Sequence, residues 1–151
     1  MRRKIPQLAL TIGSIIGLAG INYSILHTPF VFVVVLVMLA HELGHYFAAK
    51  LANADPDLPY FIPFPFFTVG ITRVRKMRFI SYNSRKKILA LGPITAVLTA
   101  LMFLFLSIIF LPQYVLPLSF LILGEIIFNY VGSDGKKYRY YSSMEKQSCI
   151  Y

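Results

Sequence analysis

His41, Glu42 and His45 fall in the order H-E-x-x-H within the run VFVVVLVMLAHELGHYFAAKL. On a helix, positions i and i+4 project from one face about a turn apart. Two imidazole nitrogens so placed can share one zinc ion at about 2.0–2.1 Å each. Glu42 sits beside them, where it can take a proton from a water polarised by the metal and pass it to a leaving amine. In a soluble helix the same letters are only suggestive, because a solvated charged face also produces them. Here the flanking residues are Val, Leu, Phe and Ala. Two histidines and a glutamate inside an apolar helix are costly in a bilayer and need a partner or a metal. Two blander readings stay open: a polar contact between helices, and a metal site without hydrolysis.

The elements that must hold these groups follow from composition. Hydrophobic residues make up 57% of the 151-residue chain and charged residues 14%, and the mean hydropathy is +0.66. A soluble domain averages about 45–50% apolar and about 25% charged residues. A chain this short cannot bury so much apolar surface in one core, whereas a bilayer covers it. Four stretches can span: 7–26, 30–51, 88–111 and 115–131. Each is close to the roughly 20 residues that cross the hydrocarbon layer as a helix. The first holds Gly13, Gly17, Gly20 and Asn22 after a basic Arg2-Arg3-Lys4 start. That start also fits a signal peptide, but no small-residue cleavage site follows, so an uncleaved span is expected. The single cysteine, Cys149, excludes an internal disulfide framework and a Cys-rich zinc module. It stands one position too late for a C-terminal prenylation box.

Charge sets the orientation. With four spans, the N-tail, the loop 52–87 and the C-tail share one side. All 15 basic residues lie there or at Lys50, the end of a span touching it. The turns at Thr28-Pro29 and Pro112-Gln113-Tyr114 carry none. By the positive-inside rule the basic side is cytoplasmic. A net charge of +9 can also signal nucleic acid, but charges spread over three membrane-flanking segments match topology and anionic headgroups better. No nucleic-acid partner is expected.

Several segments together resemble the site-2 proteases, intramembrane zinc metalloproteases. His41-Glu42-Leu43-Gly44-His45 matches the metal motif of that family. Gly92-Pro93 resembles the Gly-Pro that follows the active-site helix. Asn129 with Ser133-Asp134-Gly135 resembles the Asn…Asp-Gly signature, whose Asp is the third zinc ligand. The run LPYFIPFPFF at 58–67 resembles a segment after the active-site helix in one branch. The resemblance covers about 95 residues, Phe30 to Gly135. It implies a bare catalytic core, 1–135, without a PDZ or CBS module, followed by a basic cytoplasmic tail, 136–151, in a multi-pass protein of a prokaryotic cell membrane.

Without the family, the candidates for a third ligand are Asp55, Asp57, Glu125, Asp134, Glu145 and His27. Depth favours Asp134. His45 lies 16 residues beyond Pro29 and Asp134 lies 17 beyond Pro117, so at 1.5 Å per residue both stand roughly 24–26 Å from the outer turns. Glu125 is the runner-up, an acid near the middle of the fourth span and one helical turn from Asn129. A supporting or substrate-path role is expected for Glu125 and Asn129, against a protonated glutamate bonded to a neighbouring helix. Gly135 is expected to let the chain turn tightly after the ligand.

In the loop 52–87, prolines 56, 59, 63 and 65 exclude a helix across 56–65. The aromatics around them suit a membrane interface or a re-entrant dip. After Gly70, ITRVRKMRFI alternates in part, which predicts a membrane-dipping hairpin of two short strands whose free edge can pair with an extended substrate. A loop anchored on headgroups through Arg73, Arg75, Lys76 and Arg78 is the alternative. Besides its resemblance to the family's Gly-Pro, Gly92-Pro93 near the start of the third span can be read simply as the opening of that span, since proline is tolerated in a first turn.

The sequence therefore predicts an all-α membrane protein of about four transmembrane helices with a short hairpin between the second and third. One catalytic zinc is expected on His41, His45 and Asp134, with Glu42 as general base. The expected partners are the lipid bilayer and a membrane-embedded protein or peptide substrate, with room for a regulatory membrane partner. Two further readings remain: an inactive scaffold of the same fold, against which the intact Glu42 argues, and a membrane metal carrier. A carrier needs ionisable groups on both sides of the site, and the outer half offers only His27.

Overall fold

The run VFVVVLV is β-branched, and in water it would favour a strand. In lipid every backbone N–H and C=O must be satisfied within its own segment, and that selects the helix. The computed structural model describes residues 4–26, 28–64 and 67–148. Helix α1 covers Lys4–Leu26, α2 Phe30–Leu51, α3 Tyr82–Phe110, α4 Val115–Val131 and α5 Ser133–Ser148. Between α2 and α3 lie strands β1, Tyr60–Phe64, and β2, Phe67–Ile71, which pair antiparallel with Phe61 opposite Gly70. His27, Arg2, Arg3 and Cys149 lie outside the described residues, as do the expectations placed on them.

Among the described residues, three helices are long and apolar enough to cross a membrane: Phe30–Leu51, Tyr82–Phe110 and the stretch Pro112–Val131. The apolar part of α1, Pro6–Ile21, is shorter than these three. Outward-facing Phe105, Ile108, Phe110 and Phe128 are exposed, as lipid-facing residues are. The architecture is an all-α membrane protein with a two-stranded sheet.

Helix α2 packs closely on α3 because small residues line the contact. Ala96 and Ala100 are buried with Val37, and Ala48 and Ala49 with Ile88. A Cβ at Gly44 would run into Thr95 Oγ1 and Leu91 O and come within 2.9 Å of the Gly92 Cα. Thr95 Oγ1 also lies 2.8 Å from Ala40 O across the interface. Small-residue contacts and bridging hydroxyls are the usual means of holding helices together in lipid.

The hairpin stands upstream of its predicted place. Strands form within the proline-aromatic run, while 72–80 holds only a bridge, Pro56 with Val74, and a 3₁₀ turn, Met77–Phe79. A two-stranded sheet has only edge strands, so proline at 63 costs it no ladder bond on both sides. The chain 73–76 is used otherwise: Arg73 O accepts from Asp57 N at 2.9 Å and Lys76 N donates to Ala54 O at 2.9 Å. Phe61 is buried against Leu18, Val31 and Val35. The two valines precede His41 by six to ten residues, about 9–15 Å along the helix, so the hairpin dips past the level of the histidines. It is tethered to α1, where Ser14 Oγ accepts from Phe61 N at 3.1 Å and Thr11 Oγ1 donates to Pro59 O at 2.6 Å.

Helix α3 starts six residues before the expected span. Ser81 caps it, accepting from Ser84 N at 3.2 Å, a signal that hydropathy does not carry. Pro93 is therefore inside the helix rather than in its first turn. The segment 136–148 continues a helix that begins at Ser133 and docks on the charged start of α3. There Arg85 lies 5.0 Å from the Tyr82 ring and 5.2 Å from the Tyr141 ring, and Lys86 pairs with Glu145. Helix α5 thus crosses the boundary expected at 135.

Candidate metal centre

Helix α2 carries three groups on one stretch. Glu42 and His45 are each only 8% exposed. His41 lies one turn above His45, with their Nε2 atoms 3.1 Å apart. Asp134 arrives from the first turn of α5, where an acidic side chain suits the helix dipole. Its Oδ2 is 3.0 Å from His45 Nε2 and 3.6 Å from His41 Nε2. Two ligands at about 2.0–2.1 Å from a tetrahedral zinc stand about 3.3 Å from each other. The three separations scatter around that value, and the set of two imidazoles and one carboxylate is one zinc accepts in catalytic sites. His41, His45 and Asp134 are the group among the described residues able to hold a metal ion.

The far sides of both imidazoles are oriented. His45 Nδ1 is 2.7 Å from Ile88 O. With Nδ1–H donating to that carbonyl, the Nε2 lone pair points at the shared centre. Pro93 cannot donate to the Leu89 carbonyl and its ring crowds the preceding turn; the neighbouring carbonyl in that turn is the one His45 uses. Gly92 leaves room for the ring, because a Cβ there would collide with the imidazole. His41 Nδ1 faces Glu125 Oε2 at 3.4 Å, longer than a good hydrogen bond. Asn129 Nδ2 lies 2.8 Å from that same oxygen and 2.7 Å from Glu125 O. Glu125 and Asn129 thus stand behind His41, not at the three-atom centre.

The junction that delivers Asp134 depends on glycine twice. Gly132, extended at φ −72 and ψ −167, breaks α4 from α5. A side chain there would strike Phe128 O. Gly135 lies inside α5, and its missing Cβ lets the helix approach Asn129 O and Tyr130 O. Its role is close approach rather than a left-handed turn, and the break falls before Asp134.

Asp55, Asp57 and Glu145 lie apart from the centre. Asp57 is held by Arg75, at 2.5 and 3.1 Å, and by Gln7 at 2.8 Å. Burial would raise its carboxyl, but hydrogen bonds from Arg75 and Gln7 outweigh that and leave it below the usual carboxylate range. Asp55 adopts a left-handed backbone, φ 53, just after α2, as Asp tolerates.

A cleft of about 370 Å³ opens on Glu42, His45 and Asp134 and is closed by Thr72, Met77 and Tyr141 among others. A second, of about 290 Å³, reaches Glu42 and Asp134 from the side of Phe61 and Phe128. Sequence reasoning missed two residues here, Gly70, which lines both clefts, and Thr72, which lines the first. Thr72 Oγ1 lies 2.6 Å from Glu42 Oε2, and a Cβ at Gly70 would collide with the Glu42 carboxylate. A glycine in a short strand is the available signal, since it often marks close approach. Thr72 had none.

The profile of peptidase family M50 matches residues 29–147, from the turn before α2 almost to the end of α5. The chain belongs to this family. M50 peptidases are the site-2 proteases, zinc metalloproteases of the membrane, so membership accounts for the apolar helices and the His-His-Asp group together. The M50 match also includes the segment 136–147, the part expected to be a separate tail. No curated protein and no solved structure matches the chain.

Proposed function

We propose that this M50 member is a zinc-dependent intramembrane endopeptidase that cuts membrane-embedded or juxtamembrane segments of proteins or peptides. The observation that carries the reading is the convergence of His41, His45 and Asp134, with Glu42 alongside in the same cleft. His41 Nε2, His45 Nε2 and Asp134 Oδ2 would hold zinc, which supplies Lewis acidity to the water and to the scissile carbonyl. Glu42 takes a proton from the attacking water. As the C–N bond breaks, Glu42 returns that proton to the departing amine nitrogen; the acid formed then gives its own proton to the amine, leaving a carboxylate and an ammonium group. Glu125, steadied by Asn129, orients His41, and Ile88 O orients His45. The substrate must be extended at the cut, because a helix shields its carbonyls, and β2 beside Glu42 offers an edge for such a strand.

In this reading α1 crosses as a fourth span, and the termini and the loop 52–87 face the cytoplasm, because the basic residues lie on that side. Purified protein with one equivalent of zinc is assayed on fluorescein-labelled casein and on co-expressed membrane proteins. The wild type cleaves, and Glu42→Gln keeps zinc but loses cleavage by more than about 100-fold. Equal cleavage by both would remove Glu42 from the reaction. Absence of cleavage by zinc-loaded wild type on every substrate would favour an inactive scaffold.

A further inference from the structure

We infer that Thr72 is the positioning residue of the general base, holding the Glu42 carboxylate so that one oxygen alone is turned to the reacting water. The inference rests on the proposed hydrolysis and adds to it a residue outside the metal motif. Thr72 Oγ1 stands 2.6 Å from Glu42 Oε2 and 3.1 Å from the Glu42 backbone oxygen. The short contact is a charge-assisted hydrogen bond with the hydroxyl donating. The longer one measures the hydroxyl against the backbone of the same residue. The carboxylate is thereby fixed relative to its own helix, and rotation about the last side-chain torsion, otherwise broad, is stopped.

The other oxygen, Oε1, faces Gly70, where a Cβ would collide with it. The absence of that Cβ makes room for the carboxylate itself, which packs against the Gly70 backbone on the Oε1 side. Gly70 and Thr72 therefore act on opposite oxygens of one carboxylate. Both belong to the chain at the end of β2, and both line the cleft shared by Glu42, His45 and Asp134.

Thr72 is itself well located. It follows β2 directly, and β2 pairs with β1, which α1 fixes through Ser14 and Thr11. Its β-branch restricts χ1, so the hydroxyl direction follows from the backbone. Glu42 is 8% exposed, and little solvent competes for Oε2. The hairpin thus does two things at once: it offers a strand edge and it aims the base.

The test compares Thr72→Val, which keeps the shape and loses the hydroxyl, with Thr72→Ser, which keeps the hydroxyl. Full-length protein with one equivalent of zinc is assayed on fluorescein-labelled casein. The expected result for Thr72→Val is a kcat lower by about 10–100-fold, the range for losing a group that orients a metal-site residue. KM stays within about twofold and bound zinc is unchanged. Thr72→Ser recovers to within about threefold of wild type, and Thr72→Ala, which crowds nothing, matches Thr72→Val. A second readout does not need activity. In the metal-free protein Thr72→Val lowers Tm by about 3 °C or more, as loss of a hydrogen bond to a charged group should. In a Glu42→Ala background the same change lowers Tm by less than about 1 °C. An unchanged kcat in Thr72→Val, a Thr72→Ser variant as poor as Thr72→Val, or equal Tm losses in both backgrounds overturns the inference. If zinc-loaded wild type cleaves no better than Glu42→Gln, the proposed hydrolysis is what fails, and the Tm cycle alone decides whether Thr72 holds Glu42.

Discussion

Gly92→Ala adds one methyl group, and its effect can be worked from the structure. The new Cβ would meet His45 Cδ2 at 2.7 Å and approach Nε2 and Cε1 more closely still. Ordinary contact begins at 3.4 Å, so the ring edge must retreat by about 0.7 Å or more. It has little room to do so. His45 is buried, its Nδ1 is tied to Ile88 O at 2.7 Å, and Ile88 is on the same helix as the intruding methyl. The ring must break that bond or carry Nε2 off the shared centre, and either change degrades the proposed ligand. A misplacement of about 1 Å near a reacting group costs about 100-fold in rate. Loss of an orienting partner costs about 10–100-fold in metal affinity.

Overpacking a tight contact also destabilises by about 1–3 kcal/mol, which is about 2–12 °C in Tm for a chain of this size. The assay is zinc content after dialysis against a buffered zinc series, with Tm and casein cleavage on the same samples. The expected variant folds with a lower Tm, binds zinc at least 10-fold more weakly and cleaves at least 100-fold more slowly. Wild-type zinc affinity together with wild-type rate would show that Gly92 does not make room for the ligand, and the argument from close approach would fail.

The other predictions are briefer. Asp134→Ala sharply lowers bound zinc, while Glu125→Ala keeps zinc and loses about 10–100-fold in rate; metal content of the two purified variants decides, and the reverse pattern makes Glu125 the ligand. In a Cys149→Ser background, cysteines placed at Ser84 and at Gln113 label from opposite faces of the membrane, and labelling from one face would overturn the proposed topology. Asp57→Asn lowers Tm at pH 7 by no more than about 4 °C, the range of one partly exposed ion pair. Since the Asp57 carboxyl is depressed in the folded chain, its contribution is present above the ordinary carboxylate range and fades as pH falls through the folded value. The Tm gap between wild type and variant should therefore hold steady above the ordinary carboxylate range and narrow progressively as pH falls below it, and a gap that does not narrow would refute the ion pair.

What the sequence made legible follows the physics of each signal. His41, Glu42 and His45 were readable because one helix fixes their mutual geometry, and the apolar flank made three ionisable groups conspicuous. Asp134 was reachable by depth, since rise per residue is constant along two helices running the same way. The hairpin lies upstream of ITRVRKMRFI, whose partial alternation is a weak strand signal beside the proline-aromatic run that forms β1 and leads into β2. Proline disfavours strands in large sheets, yet a lone hairpin leaves it an outer edge. The early start of α3 was hidden because hydropathy marks only the apolar part of a helix, while its polar first turns extend it back to a serine cap.

Thr72, Gly70 and Gly92 were illegible for a deeper reason. Their roles are contacts between elements far apart in the chain, and nothing in local spacing encodes them. Their chemistry still follows one rule. The His41, His45 and Asp134 group and Glu42 occupy a space bounded by α2, α3, α5 and the end of β2, and the neighbours pressed closest on His45 and Glu42 are of two kinds, residues without a Cβ and hydrogen-bond partners. Gly92 and Gly70 are of the first kind, against His45 and Glu42. Ile88 O and Thr72 are of the second, against the same two residues. Each of the two is thus held on one side by a partner and relieved on another by a glycine. Enlarging the glycine and deleting the partner should accordingly damage the same step, with the zinc readout sensitive at Gly92 and insensitive at Thr72.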